Sequence, residues 1–207
     1  GVITTGRFAD SKRAGAGARR PKGGASVAVV AADWLTDLRS ALAVVSPPQL
    51  AVACVVAVSG SAPRHPGTKM VVAQDGRQWG TIGGGRVEHE VAQTARQVAQ
   101  RQVGEVATHH LVRDLAMCCG GSMTVAIIPG RVMAPLLDAA QAQLDAGAAL
   151  VLTIGRDGNA VAIGDAPGGY RDVTSPPARV IVFGAGHVGR AIAPSAARAG
   201  VDVVVCD

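Results

Sequence analysis

The 207 residues, 48% hydrophobic and 2% aromatic with 27 glycines and 11 prolines, suffice for one or two compact domains and exclude a chain disordered throughout. The longest unbroken apolar run, Leu50 to Val58, is less than half of what a helix needs to cross a bilayer, so an integral helical membrane protein is excluded and a soluble one expected. The formal net charge of +5 arises in residues 1–26, which carry Arg7, Lys12, Arg13, Arg19, Arg20 and Lys22 against Asp10 alone. The rest of the chain is neutral, and this Gly-, Ala- and Arg-rich segment reads as a disordered, solvated tail rather than a nucleic-acid-binding arm.

Trp34, Leu35, Leu38, Ala41 and Leu42 recur at helical spacing, predicting a helix from Asp33 to Val44 that Pro47 and Pro48 end. Leu50 to Val58 reads as a buried strand with Cys54 as core packing, and GSAPRHPG as a loop. TKMVVAQ and QWGTI form two strands turned at Asp75 and Gly76. After the triplet Gly83, Gly84, Gly85, the segment Arg86 to Val103 is an amphipathic helix with Val87, Val91, Ala95 and Val98 on one face. His109 and His110 read as ordinary strand or loop residues. SMTVAIIP is a strand, APLLDAAQAQLDAG a helix closed by Gly147, and ALVLTI with NAVAIG a hairpin. The Pro- and Gly-rich residues 165–177 read as a linker between a domain at 27–164 and a second unit at 178–207. That unit runs strand RVIVF, turn GAGHVG, a helix carrying Pro194, and strand VDVVVCD. Because the chain opens on Gly1 and stops at Asp207 after two strands of this unit, it is read as a fragment of a longer protein.

Two glycine-rich sites carry candidate chemistry. GAGHVG fits G-x-G-x-x-G between a strand and a helix: Gly184 permits the tight turn, Gly186 admits a pyrophosphate to the backbone, and Gly189 lets helix and strand pack closely. Asp207, at the end of the following strand, stands where a ribose-binding acid belongs. The alternative is a fold that keeps the turn and has lost its ligand. At Gly83 to Gly85, successive glycines before a helix would leave amides open to an oxyanion, with Arg86, Arg64 and Lys69 to neutralise a phosphate. A tight structural turn is the bland reading. Cys118 and Cys119, followed by Gly120 and Gly121, read either as buried structural thiols or as a thiolate that ligates a soft metal or carries sulfur. Free thiols fit a reducing cytoplasm.

Taken together, SGSAPRHPGTKM, DGRQWGTIGGGRVEHEV, MCCGGSMTV and VIVFGAGHVGRA resemble the XdhC/CoxI family of accessory proteins for xanthine dehydrogenase and related molybdenum hydroxylases. The resemblance implies an α/β chain: an N-terminal α+β cofactor-handling domain followed by the first βαβ unit of a truncated Rossmann domain. It implies a cofactor-insertion chaperone rather than a catalyst, one that binds molybdenum cofactor, works with a cysteine desulfurase that supplies the terminal sulfur, and delivers the product to the apo-hydroxylase. The family's habits imply a cytoplasmic homodimer without a membrane partner. The family's cysteine before paired glycines falls on Cys119, the implied metal ligand, with Cys118 before it and Gly120 and Gly121 after. The triple glycine falls on Gly83, Gly84 and Gly85, and Arg86 replaces the small residue or cysteine of many members. The competing reading is an NAD(P)-dependent oxidoreductase that binds its nucleotide through Gly184, Gly186, Gly189 and Asp207.

Overall fold

A computed structural model describes residues 33–113, 120–176, 178–199 and 201–206. The basic tail 1–26, Cys118, Cys119, Pro177 and Asp207 lie outside the described residues. The chain divides into two compact units, residues 28–176 and a second whose described part lies within 178–206.

The first unit is built on an antiparallel sheet of β1 (Leu50–Ser59), β2 (Lys69–Ala73), β3 (Gln78–Gly80), β4 (Glu105–His110) and β5 (Ser122–Pro129), in the order β3-β2-β1-β5-β4. Its central strand β1 is an unbroken apolar run because both of its faces are covered, and Leu50 through Val55 are all buried. On one face lies α2 (Gly85–Arg101), whose Val87, Val91, Ala95 and Val98 pack on Ala51, Ala53, Val55, Met70 and Val72. The other face carries α1 (Asp33–Leu42), a short α3 (Gly130–Met133) and α4 (Leu137–Asp145). A second sheet joins them, of β6 (Leu150–Ile154), β7 (Val161–Ile163) and β8 (Tyr170–Thr174), in the order β7-β6-β8. Trp34, Leu38, Leu144 and Leu152 share a core there with Val52, Cys54, Val71 and Ile128. The register of β1 against β5 shifts between Val55 and Ala57, a bulge that re-aims the last residues of β1 just before the loop at 60–67.

The segment expected to be a linker, 165–177, contains β8, which pairs with β6 from Leu150↔Thr174 to Ile154↔Tyr170. Its inward residues are Tyr170, packed against the core, and Asp172 and Thr174, both buried. A strand whose fully buried positions are polar, flanked by Pro and Gly, has little apolar alternation to betray it. The expected helix over APLLDAAQAQLDAG opens instead on a 3-10 turn at Ala134–Leu136 before α4, with α3 preceding it. The second unit is β9 (Arg179–Phe183), α5 (His187–Arg198) and β10 (Asp202–Cys206), the two strands parallel with Arg179 opposite Asp202 and Phe183 opposite Cys206. Pro194 lies inside α5. The fold is therefore α/β, an α+β unit followed by a βαβ unit.

Candidate functional site

The turn from Thr81 to Gly85 joins β3 to α2, and its three glycines all have positive φ, 124°, 72° and 68° for Gly83, Gly84 and Gly85. Residues with a Cβ disfavour that region, so the triplet is needed to make this turn at all. Its amides are not open, as the sequence led us to expect. Glu88, in the first turn of α2, reaches back so that its Oε2 accepts from Ile82 N at 3.0 Å, Gly84 N at 3.0 Å and the Thr81 hydroxyl, while Gly83 N donates to Thr81 Oγ1 at 3.1 Å. This is a capping arrangement in which the chain's own carboxylate takes the place proposed for a ligand's oxyanion.

Burial by itself would push the Glu88 carboxyl up, but the hydrogen bonds from Thr81 and from the amides of Gly84, Ile82 and Gly83 outweigh it and hold the group below the usual carboxylate range. A carboxyl depressed in the folded state contributes stability that is present above its unfolded pKa and lost as pH falls through the folded value. Glu88→Gln is therefore expected to lower stability at pH 7 by about 1 kcal/mol, with the gap to the parent closing in acid. Thermal melts from pH 7 down to pH 3 check this, and a gap that is constant or widens in acid contradicts it.

Three segments that the sequence separates meet at this end of the sheet. A Cβ built on Gly83 would stand 2.8 Å from Pro63 Cβ and 3.2 Å from Arg64 Cγ, so the glycine turn lies directly on the 60–67 loop. A Cβ on Gly60 would stand 3.1 Å from Gly121 Cα, and Gly121 N donates to Ser61 O at 2.9 Å. Arg64 and Arg86 are exposed, and neither pairs with another described residue. Around Gly84 and Gly120 a Cβ would meet nothing within 4 Å, which leaves the approach to both backbones open. On the flank, His109 Nδ1 of β4 is 3.9 Å from Glu90 Oε2 of α2. Both histidines belong to a strand, and among the described residues no group of three or more His, Cys, Asp or Glu is placed to hold a metal ion.

Lys69 does not join this cluster. Its ammonium points to the opposite face of the sheet from α2, fully buried, 2.6 Å from Asp172 Oδ2. Cys54, paired with Lys69 across β1 and β2, is buried, and that burial pushes its thiol up to about 12, which makes it packing rather than a nucleophile.

In the second unit the glycine motif has the geometry its spacing predicts. Gly184 has φ 100° and donates its amide to Cys206 O at 2.7 Å. A Cβ on Gly189 would lie 2.2 Å from Gly184 O, so this glycine lets α5 pack on the turn, whereas Gly184 and Gly186 face open space.

Residues 46–111, which hold the 60–67 loop, the glycine triplet and α2, match the XdhC and CoxI family. In this segment the chain is similar to the XdhC and CoxI family. It is also 31% identical over 161 residues to the uncharacterized protein YqeB of Escherichia coli (strain K12), an alignment covering 76% of this chain and 21% of YqeB. The chain thus spans about a fifth of that relative's length. Among solved structures, it resembles a xanthine dehydrogenase (BH1974) from Bacillus halodurans with a TM-score of 0.68 and 23% identity, over 83% of this chain and 61% of that one. That likeness is one of fold.

Within the XdhC and CoxI segment, the structure brings Gly83, the first of the triplet that leads into Gly84, Gly85 and Arg86, against Pro63 and Arg64, and beyond it places Gly120 and Gly121 against the same loop. Gly184, Gly186 and Gly189 form a separate turn in the other unit. Sequence reasoning missed Glu88 as the occupant of the glycine turn and Asp172 as the partner of Lys69. A signal existed for the first: an acid four residues past a glycine N-cap is placed to satisfy the cap's amides.

Proposed function

We propose that this chain is the cofactor-handling part of an accessory protein for xanthine dehydrogenase or a related molybdenum hydroxylase. On this reading it binds molybdenum cofactor, receives terminal sulfur on it from a cysteine desulfurase, and passes it to the apo-enzyme as a homodimer. The single observation that carries the reading is the convergence of the 60–67 loop, the glycine turn and Gly120–Gly121 at one end of the sheet, where Arg64 and Arg86 are exposed and have no pairing partner among the described residues.

Molybdopterin is an anionic pterin with a phosphate at one end and two sulfurs on molybdenum at the other. The charge of Arg64 and Arg86 suits the phosphate, and bidentate guanidinium contacts are the strong form of that interaction. The amides of Ile82, Gly83 and Gly84 do not suit it, since Glu88 and the Thr81 hydroxyl hold them. Their role in this proposal is to give the turn its shape. Cys119, which directly precedes Gly120 in sequence, supplies a soft donor for the metal end, with Cys118 adjacent. When bound, the cofactor brings the molybdenum centre on which the recipient hydroxylase depends. The protein's own part is to hold the phosphate by charge, shelter the metal end and present a thiol.

Anaerobic binding of purified molybdenum cofactor, read by absorbance after gel filtration, tests this. Reversing both charges with Arg64→Glu and Arg86→Glu is expected to weaken binding at least tenfold without lowering the melting temperature, because both side chains are exposed and free of described partners. Cys119→Ser is expected to reduce retention or sulfur transfer. Undiminished affinity in the charge-reversed chain would sink the phosphate assignment. A second reading, an NAD(P)-dependent oxidoreductase, draws on the open space at Gly184 and Gly186. Reduction of NAD with a small substrate in the absence of molybdenum cofactor favours it.

A further inference from the structure

We propose that Lys69 and Asp172 are a positioning pair, whose buried charges fix the end of the 60–67 loop through the Gly67 carbonyl and thereby set Arg64 beside the glycine turn. The proposal rests on the anion-site reading above for its functional consequence. Its structural content stands separately.

The three protons of the Lys69 ammonium are accounted for. Nζ donates to Asp172 Oδ2 at 2.6 Å and to Gly67 O at 3.0 Å, and it lies 4.7 Å from the centroid of the Trp34 ring. Trp34 in turn donates Nε1 to Thr174 Oγ1 at 3.2 Å, two residues along β8 from Asp172. The side chains of Lys69 and Asp172 are 0% and 3% exposed. Among the described residues, Asp172 Oδ1 has no hydrogen-bond partner.

Removing two charges from water is costly, and an incompletely satisfied buried pair does not hold layers together better than apolar residues of similar size would. Layer packing therefore does not explain why charges stand here. The one group the ammonium engages that belongs neither to the pair nor to the core around it is the Gly67 carbonyl. Gly67 closes the loop with φ 95°, and its amide donates to Val55 O at 2.8 Å. Next to it, the Thr68 hydroxyl donates to His65 O at 2.9 Å, and Thr68 N donates to the same oxygen at 3.3 Å. His65 follows Arg64 directly, and Arg64 Cγ lies at the Gly83 backbone. Hydrogen bonds, joined by the Gly67–Thr68 peptide, thus run from Asp172, in the second sheet, to the His65 carbonyl, one residue past Arg64. Asp172 and Lys69 reach Arg64 and the glycine turn by way of the loop, through the Gly67 carbonyl.

The test replaces the pair by apolar residues, Lys69→Met with Asp172→Leu, in the full chain. Hydrogen exchange at residues 60–68 and titration with inorganic phosphate are the readouts. The expected result is an unreduced melting temperature, exchange of the Gly67 and Thr68 amides at least tenfold faster than in the parent, and a phosphate Kd raised at least tenfold. A layer-packing role moves none of these. Unchanged exchange at Gly67 and Thr68 in the folded double variant overturns the proposal. If the loop loosens in the variant but phosphate binds neither chain, the pair's hold on the loop is supported and the anion-site reading is what fails. If the double variant does not fold, the parent decides. Its Gly67 and Thr68 amides must exchange as slowly as those of Val71 and Val72, and exchange near the rate of an unstructured peptide overturns the proposal.

Discussion

Asp172→Ala is expected to destabilise the 28–176 unit by about 3–5 kcal/mol. The loss comes less from the attraction removed than from what is left behind. The Lys69 ammonium stays fully buried, with only the Gly67 carbonyl and the Trp34 ring facing it and no negative charge among its described partners. Lys69→Met creates the converse problem, because Asp172 Oδ1 already lacks a hydrogen bond among the described residues and Oδ2 would then join it. Changing both residues, to Met and Leu, removes both charges and adds apolar surface beside Trp34 and Leu152, so the double variant should recover most of the loss and match or exceed the parent. Urea unfolding of the four chains measures this as a double-mutant cycle, with a coupling of several kcal/mol expected. A double variant as unstable as either single one would show that shape, not charge, is what the site requires.

The same pair marks the limit of what local sequence patterns specify. β1 and β5 were legible because an apolar run bounded by turn residues has few alternatives, and α2 because Val87, Val91, Ala95 and Val98 keep helical spacing on one face. β4 was not, since five of its six residues are half-buried and EVATHH alternates weakly. The burial of Lys69 did leave a trace: Lys69, Val71 and Ala73 alternate on one face of β2, and Val71 and Ala73 belong to the core. Its partner left none, for Asp172 is 103 residues away in a strand whose fully buried positions are polar. At the candidate site the glycine triplet was legible as a turn, yet its amides were expected to be vacant. The missing step was that an acid four residues past the cap can satisfy those amides within the chain. Long-range convergence, Gly83 on Pro63 and Gly121 on Ser61, depends on the order β3-β2-β1-β5-β4, which local patterns do not specify.

Gly121→Ala is expected to be the most damaging single change at the candidate site, whereas Gly120→Ala, one residue earlier, should be close to neutral. Gly121 lies where the strand entering β5 crosses the end of β1. Its amide donates to Ser61 O at 2.9 Å and its carbonyl accepts from Leu111 N at 3.0 Å, so the peptide is held on both sides. A Cβ there would stand 2.3 Å from Ser59 O and 2.4 Å from Ser61 O. Both obstacles are backbone atoms and cannot swing aside as a flexible side chain would. Relief requires the 60–67 loop or the 120–121 segment to move, which breaks the Gly121–Ser61 hydrogen bond. Overpacking of this kind costs about 3 kcal/mol or more, a fall in melting temperature of about 6–12 °C for a chain of this size. At Gly120 a Cβ meets nothing within 4 Å, so alanine should stay within about 0.5 kcal/mol of the parent. Thermal melts of the two variants side by side decide the matter. If Gly121→Ala melts with Gly120→Ala, the loop and the start of β5 do not cross this closely. If it melts well below, the two glycines have distinct physical roles: the second clamps the segment to the 60–67 loop, and the first leaves the approach to its backbone open.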